Sequence, residues 1–546
     1  MKNISCHIHE TGLHKLWSRL ILGAVLTLAG ASGWAAGATA DAAPATAATA
    51  TDAHRVENAV VQIFSTARMP DLCKPWSKQA AKELTGSGVV IEGKRILTNA
   101  HLVLYASQIQ VQANQSGNKL PASVEAVAPG IDLAVLKLED ESFFDTHPPL
   151  PRASTLPAIK DNVMAYGFPV GGTGISITKG IVSRIEFAGY NTPTSGLRIQ
   201  IDAAINTGNS GGPALVGDQM IGIAYSRLSS AQNVGYIIPC EEIDLFLQDI
   251  ADGKYDGKYD GKPALFDEFQ TFENPALRAF LRLDHTVEGI IVHEIDNPDP
   301  AYPLKKWDLI TRIGDTRIDN EGKIRLGDNL RVSFRYLIQK TAKNGKVPLT
   351  VMREGQALTL DVPVEYGRPK LIPHLLGTYP DYFVYGPIVF TVATEDFVTL
   401  VTSIPSSAQG APGISGAVIY NMLSASGSPL VTRRSERATA EEQQLVLIPA
   451  PFFPHKLTKG YGNPAARVVK NVNGVAIKSL SHLVEVLRDA KEQFVTIELA
   501  GRATESLVLP RKEMTAATEG ILNDAGIRAQ GSPAMLAVWE GKARGD

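Results

Sequence analysis

From Val56 onward the chain reads as short apolar runs separated by Gly, Asn and Pro. The clearest are 59-AVVQIF-64, 88-GVVIEGKRILT-98, 134-AVLKL-138, 197-LRIQI-201 and 220-MIGIAYS-226. Each is rich in Val and Ile and too short for a helix, so the pattern predicts closely spaced strands and an all-β barrel or sandwich. The stretch 239-PCEEIDLFLQDI-250 breaks it, because Ile243, Phe246, Leu247 and Ile250 fall on one helical face. A helix closing the domain is expected there. Beyond it lie two further units of roughly 100–150 residues, each mixing short strands with at least one helix, as α+β domains do. In the second, 480-LSHLVEVL-487 is an amphipathic helix, and a polar tail is expected from Thr515.

Before Val56 the pattern is different. Lys15 and Arg19 precede the apolar run 20-LILGAVLTLAGA-31, and small residues follow, as in an export signal. The run is shorter than the roughly 20 residues a membrane span needs. Left uncleaved, it would tether the protein to the membrane. The Ala/Thr/Pro stretch that follows holds too few large apolar residues to pack and reads as a spacer. Residues 252-DGKYDGKYDGKP-263 repeat an aspartate without the ligand pattern of a calcium loop, and read as a polar hinge. The expected division is signal 1–36, spacer 37–55, β-rich domain 56–251, linker 252–263, α+β domains 264–366 and 367–514, and tail 515–546.

Composition narrows the function classes. The 546 residues are 44% hydrophobic and 20% charged, with a net charge of −3 and no long basic block, which disfavours a nucleic-acid partner. Cys6 falls within the signal, leaving Cys73 and Cys240. One pair is no disulfide framework, although an oxidising compartment would permit a bridge. No cysteine spacing fits a metal site, and no metal or other cofactor is expected.

The stretch 207-TGNSGGPAL-215 raises the chemical question, since Gly208 to Gly212 also fits the G-x-S-x-G pattern of esterases. An esterase elbow needs a helix after the serine, with its acid and histidine downstream. Here Gly-Gly-Pro follows, then another strand-like run. Upstream, His101 sits in 97-LTNAHLV-103 and Asp132 in 130-GIDLAVLKL-138. The order His101, Asp132, Ser210 is that of chymotrypsin-type proteases. Ser210 would be the nucleophile, His101 its base, and Asp132 the group that orients the imidazole. The oxyanion hole would lie in Gly208, Asn209 and Ser210, with the N–H groups of Gly208 and Ser210 as donors.

In 86-GSGVVI-91, 98-TNAHLV-103, 131-IDLAVLKL-138, 166-YGFPVGG-172, 177-ITKGIVSRI-185, 201-IDAAINTGNSGGPAL-215 and 234-VGYIIP-239 the chain resembles the HtrA/Deg serine proteases. The resemblance implies a mostly β protein: a chymotrypsin-like double β-barrel followed by two α+β PDZ-like domains. It also implies ATP-independent cleavage of unfolded or damaged polypeptides, without cofactor, by a homo-oligomer in the cell envelope. Asn209 stands where digestive proteases carry an Asp that pairs with a new N-terminus, so activation by N-terminal cleavage is not expected. Loops 65–86 and 168–180 are expected to order the site instead. Ala204 stands six residues before Ser210, where trypsin-like enzymes place an acid. With Ile205 and Ile223 it implies a small apolar pocket, and cleavage after small aliphatic residues.

The stretch 289-GIIVHEIDNPDPAYPLKKWDLITRIGDTRI-318 resembles a PDZ domain, which binds a C-terminal peptide by strand addition. The carboxylate-holding loop is expected at 279-AFLRL-283, that is Phe280, Leu281, Arg282 and Leu283, with Arg282 in place of the usual Gly. A fainter second unit shows in 381-DYFVYGPIVFTVA-393 and 463–501, with an insertion at 394–462. With 273-ENPALR-278, this is closest to plant-type Deg proteases with two PDZ domains. The competing reading is a PDZ-bearing chaperone or scaffold with a latent protease site.

Overall fold

A computed structural model of the chain describes residues 55–542, apart from 171, 173, 191–193, 207, 228–234, 252–260, 328 and 404–414. The expected signal and nearly all of the spacer lie outside the described residues. No helix among the described residues is long and apolar enough to cross a membrane.

The apolar runs fold into the two expected barrels. In the first, β1 (Val60–Ala67), β2 (Lys82–Ile91), β3 (Arg95–Thr98), β4 (Ala106–Ala113), β5 (Lys119–Ala128) and β6 (Leu133–Leu138) close in the order β1-β2-β3-β6-β5-β4. In the second, β7 (Asn162–Gly167), β8 (Ser176–Gly189), β9 (Ser195–Ile201), β10 (Pro213–Val216), β11 (Gln219–Arg227) and β12 (Gly235–Pro239) close as β10-β11-β12-β9-β8-β7. Both ladders are antiparallel throughout. Val61, Ile63, Val89, Ile96, Leu97 and Val135 fill one core, and each fully buried aliphatic side chain contributes roughly 1.5–3 kcal/mol.

Helix α1 (Cys240–Ala251) closes the second barrel as expected, with Ile243, Phe246 and Leu247 buried. Its Glu242 is fully buried too. One carboxylate oxygen takes the Leu197 N–H at 2.7 Å, and the other lies 2.6 Å from Lys262 Nζ. The end of the expected hinge is thus an anchor, because Lys262 is itself buried. Taking one partner away leaves the other as an uncompensated buried charge, at a cost of about 3–5 kcal/mol. Glu242→Ala should therefore lower the melting temperature on the order of 10 °C. The pair Glu242→Leu with Lys262→Met should recover most of that. Equal melting of single and double variants would contradict the pairing.

The first α+β unit carries a sheet in the order Glu268–Thr271, Ile290–Glu294, Leu309–Ile313, Lys346–Arg353, Gln356–Pro363. Its helices are α2 (Pro275–Phe280), capped by the Asn274 side chain, and α3 (Arg335–Thr341). The second unit has a sheet in the order Tyr382–Tyr385, Ile388–Val392, Val446–Ile448, Arg467–Val472, Phe494–Leu499, Ser506–Pro510. The expected insertion supplies α4 (Glu395–Thr402), α5 (Gly416–Ala425) and α6 (Pro429–Thr432), but also the central strand Val446–Ile448. Helix α7 (Leu480–Asp489) buries Leu480, Leu483, Val484 and Leu487, the predicted face.

The expected tail is instead part of this unit. Helix α8 (Arg511–Asp524) spans the predicted boundary and buries Met514, Thr518 and Ile521. Helix α9 (Pro533–Trp539) buries Met535 and Val538. Between them the chain lies along the strand Tyr382–Tyr385, with Val384 N–H donating to Gln530 O at 2.7 Å and Ser532 N–H to Tyr382 O at 3.0 Å. The Trp539 ring then meets Phe383 at 5.1 Å. A sheet edge that could accept a peptide is covered by the chain's own C-terminal residues.

Candidate active site

Strand β3 runs into a single 3-10 turn, Ala100–Leu102, which carries His101. Asp132 follows a second such turn, Pro129–Ile131, in the left-handed conformation (φ 56°, ψ 42°) that Asp tolerates better than most residues. That backbone aims its carboxylate at the first turn. Oδ1 accepts the His101 backbone N–H at 2.9 Å, and Oδ2 lies 2.8 Å from His101 Nδ1. The Asp132 carbonyl takes Asn99 Nδ2 at 2.9 Å and the Ala100 N–H at 3.2 Å. Both the ring and its backbone are therefore fixed by one residue. With Nδ1–H donated to Asp132, Nε2 is the free base.

The His101 side chain is 46% exposed and that of Asp132 19%. Burial is the largest influence on the imidazole and disfavours its charge. The hydrogen bond and negative charge of Asp132 outweigh it, so the pKa is raised above 6.5.

Ser210 lies in a loop shaped by glycine. Gly208 (φ 104°) and Gly211 (φ 84°) adopt conformations that favour glycine, and a Cβ on them would fall 2.3 Å from Phe168 O and 2.1 Å from Ser87 O. Ser87 of β2, which sequence reasoning missed, ties this loop to the first barrel. Its N–H donates to Ser210 O and its Oγ to Gly208 O, both at 2.8 Å, while Oγ accepts the Phe168 N–H at 2.8 Å. Thr98, at the foot of the His101 turn, donates to Ser87 O at 2.7 Å. The one sign of this bracket in the sequence is a serine between glycines in 86-GSG-88.

The Asn209 N–H donates to Asn206 O at 3.0 Å, which removes it from the expected oxyanion hole and leaves Gly208 and Ser210 as the candidate donors. The Asn209 amide is buried without a hydrogen-bond partner among the described residues. A carboxylate there would be an unpaired buried charge, which is far costlier than a neutral amide.

The expected pocket residues divide. Ile205 clusters with Ala203 and Ala224, and its Cγ1 stands 2.4 Å from where a side chain on Gly235 would begin. Ala204 beside it is half-buried. Ile223 belongs to the other core, because neighbouring residues of a strand face opposite sides, and β11 runs in regular register against β12 from Gly222 to Ala224. On the opposite face of β11, Ala224 joins the cluster of Ile205.

The expected carboxylate loop is also corrected. Leu281 N–H donates to Leu277 O, Arg282 N–H to Ala279 O and Leu283 N–H to Arg278 O, all at 3.0–3.1 Å. These groups close the end of α2 and are not free for a ligand. Leu281 and Leu283 pack on Phe272 and Leu309, while the exposed Phe280 meets Trp307. The two end strands of this sheet, Glu268–Thr271 and Gln356–Pro363, each pair on one side only.

The two cysteines are not joined to each other. Cys240 Sγ donates to Met220 O at 2.9 Å, and burial pushes its thiol up to about 12. Among the described residues, one cluster could hold a metal ion: Glu268, His293 and Glu294, with ligand atoms within 4.8 Å of one another. It lies in the first α+β unit. A cavity of about 240 Å³ between α1 and α3, lined by Thr155, Ile221, Cys240, Asp244, Gln339 and Lys340 among others, contains none of His101, Asp132 and Ser210.

Comparison with known proteins agrees with this chemistry. Residues 86–223 match a trypsin-like peptidase domain, and residues 372–534 a PDZ domain. Protease Do-like 4, mitochondrial, of Arabidopsis thaliana is 33% identical over 445 residues, covering 81% of this chain and 79% of that protein. Protease Do-like 2, chloroplastic, of the same plant is 33% identical over 487 residues, covering 88% and 75%. Among solved structures, an HtrA-type protease, AlgW with decapeptide, is 25% identical with a TM-score of 0.44, covering 59% of this chain and 99% of that one.

Proposed function

Since this chain belongs to the HtrA/Deg family of serine proteases and is a serine endopeptidase, we propose that Ser210, His101 and Asp132 are its catalytic residues. The observation that carries the assignment is the double grip of Asp132 on His101, at 2.8 and 2.9 Å, in the order and on the turns such a centre needs. His101 Nε2 takes the Ser210 proton as Oγ attacks the scissile carbonyl, then returns it to the leaving amine. The N–H groups of Gly208 and Ser210 stabilise the oxyanion, and water releases the acyl group by the same route.

The substrates we propose are unfolded or damaged polypeptides met in the cell envelope after export. The N-terminal signal pattern supports that location. The covered cysteine and the neutral Asn209 fit an enzyme that needs neither a thiol nor a cut N-terminus. We assign C-terminal peptide capture to the first PDZ unit and homo-oligomeric assembly to the second, whose sheet edge at Tyr382–Tyr385 is already covered.

Ala204, Ile205, Ala224 and Gly235 offer no charge to a substrate side chain, which favours cleavage after small aliphatic residues. Such a pocket discriminates by only about 1–3 kcal/mol per methylene, so the preference is loose. Cut sites mapped by mass spectrometry in digested casein should fall after Ala, Val, Ile or Leu. Cuts confined to Lys and Arg would refute the pocket.

A further inference from the structure

The exit of the His101 turn is held from outside the protease barrels. Four residues after His101, Tyr105 is half-buried in a left-handed conformation (φ 61°). Its hydroxyl accepts the Gly377 N–H at 3.3 Å and donates to Thr378 O at 3.1 Å. Both partners lie on the loop that leads into the strand Tyr382–Tyr385 of the C-terminal unit. A Cβ on Gly377 (φ 95°) would stand 2.7 Å from Leu104 Cδ2, so Leu104 is seated on that glycine.

A second strut closes the contact. Tyr379 lies edge-on to Tyr105 at 5.4 Å and donates to Arg68 O at 2.8 Å, while Arg68 N–H donates to Tyr105 O at 3.0 Å. Lys78 sits over the Tyr379 ring at 4.2 Å, and Trp76, from the same protease loop, packs against Tyr382 and Phe453. The loop itself is braced, with Leu375 N–H bound to Asp396 at 2.9 Å. Burial and the charge of Asp396 push the Tyr105 phenol up to about 12, which keeps it a neutral hydroxyl able to donate and accept at once.

We infer that Tyr105 is a positioning residue for catalysis, through which loop 376–379 of the C-terminal unit fixes the turn bearing His101. Release of that unit then loosens the general base. The site would be switched by domain contact, without any change in its own residues. The inference rests on His101 being the base.

The test is steady-state cleavage, by the full chain, of a fluorogenic peptide built on a casein cut site. Tyr105→Phe keeps the ring and loses both hydroxyl bonds. It should lower kcat about three- to tenfold at unchanged KM, as expected for one or two modest hydrogen bonds. Gly377→Ala lies in another unit and touches no catalytic group, yet should lower kcat in the same way. The double variant should be no slower than the slower single, because both break one contact. If Gly377→Ala does not fold, Tyr379→Phe removes the Arg68 bond instead.

Native kcat in Gly377→Ala or its substitute, independent losses that multiply, or a change confined to KM would each overturn the inference. A native chain that cuts nothing would instead defeat the proposed protease function on which the inference rests. A native chain that cuts, beside variants that cut equally fast, defeats only the clamp.

Discussion

Asp132→Asn should leave the fold intact and lower kcat by about 10⁴. The amide can still occupy the space of the carboxylate. It can also present its NH₂ to Nδ1, which fixes the wrong tautomer and puts the proton on Nε2, where Ser210 needs a base. The imidazolium formed during attack would lose its counter-charge as well. The pH dependence carries the same signature. In the native chain the pKa of His101 is raised above 6.5, despite burial, by the hydrogen bond and charge of Asp132. Cleavage requires neutral His101, so the native rate should fall as pH drops through a value above 6.5. In Asp132→Asn both raising influences are gone while burial remains, and the acid limb should move to lower pH. Measuring kcat/KM between pH 5 and 9 for both proteins checks the sign. An unmoved limb would show that Asp132 does not set the charge of His101.

The double barrel was legible in the sequence because its strands are short, β-branched and separated by turn residues. The candidate triad was legible for a different reason. Asn-Ala-His, Ile-Asp-Leu and Gly-Asn-Ser-Gly-Gly are local strings whose chain order alone separates a protease from an esterase. What escaped depended on where neighbours point. Ile223 and Ala224 are adjacent, and which of them faces Ile205 follows from the register of β11 against β12 and its bulge. The spacing of 279-AFLRL-283 gave no sign that the end of α2 takes up its N–H groups. Helix α8 is polar on average, so composition reads it as tail. Met514, Thr518 and Ile521 nevertheless recur at helical spacing, and they become a buried face once the strand Tyr382–Tyr385 is beside them. Lys262 and Ser87 escaped because a single polar residue carries no periodicity. Their partners, Glu242 and Gly208, are brought to them only by the closed second barrel.

The struts that run from the C-terminal unit to the His101 turn add a dependence that no local string could reveal. Tyr105 and Gly377 are 272 positions apart in the chain. They meet where loop 376–379, which leads into the sheet of the second α+β unit, lies against the protease domain.

The measurement that tests the account most directly is digestion of unfolded casein by the purified chain beside Ser210→Ala. Removing the Ser210 hydroxyl leaves the fold and the candidate oxyanion donors in place, but no atom that can form the acyl bond. Loss of a nucleophile of this kind lowers turnover by about 10⁴–10⁶. The account predicts peptide products from the native chain and none above background from the variant, with equal melting temperatures for the two. Equal cleavage by both would contradict it. So would no cleavage by either while both keep casein from aggregating, which would mark the chain as a PDZ-bearing chaperone whose protease site is latent.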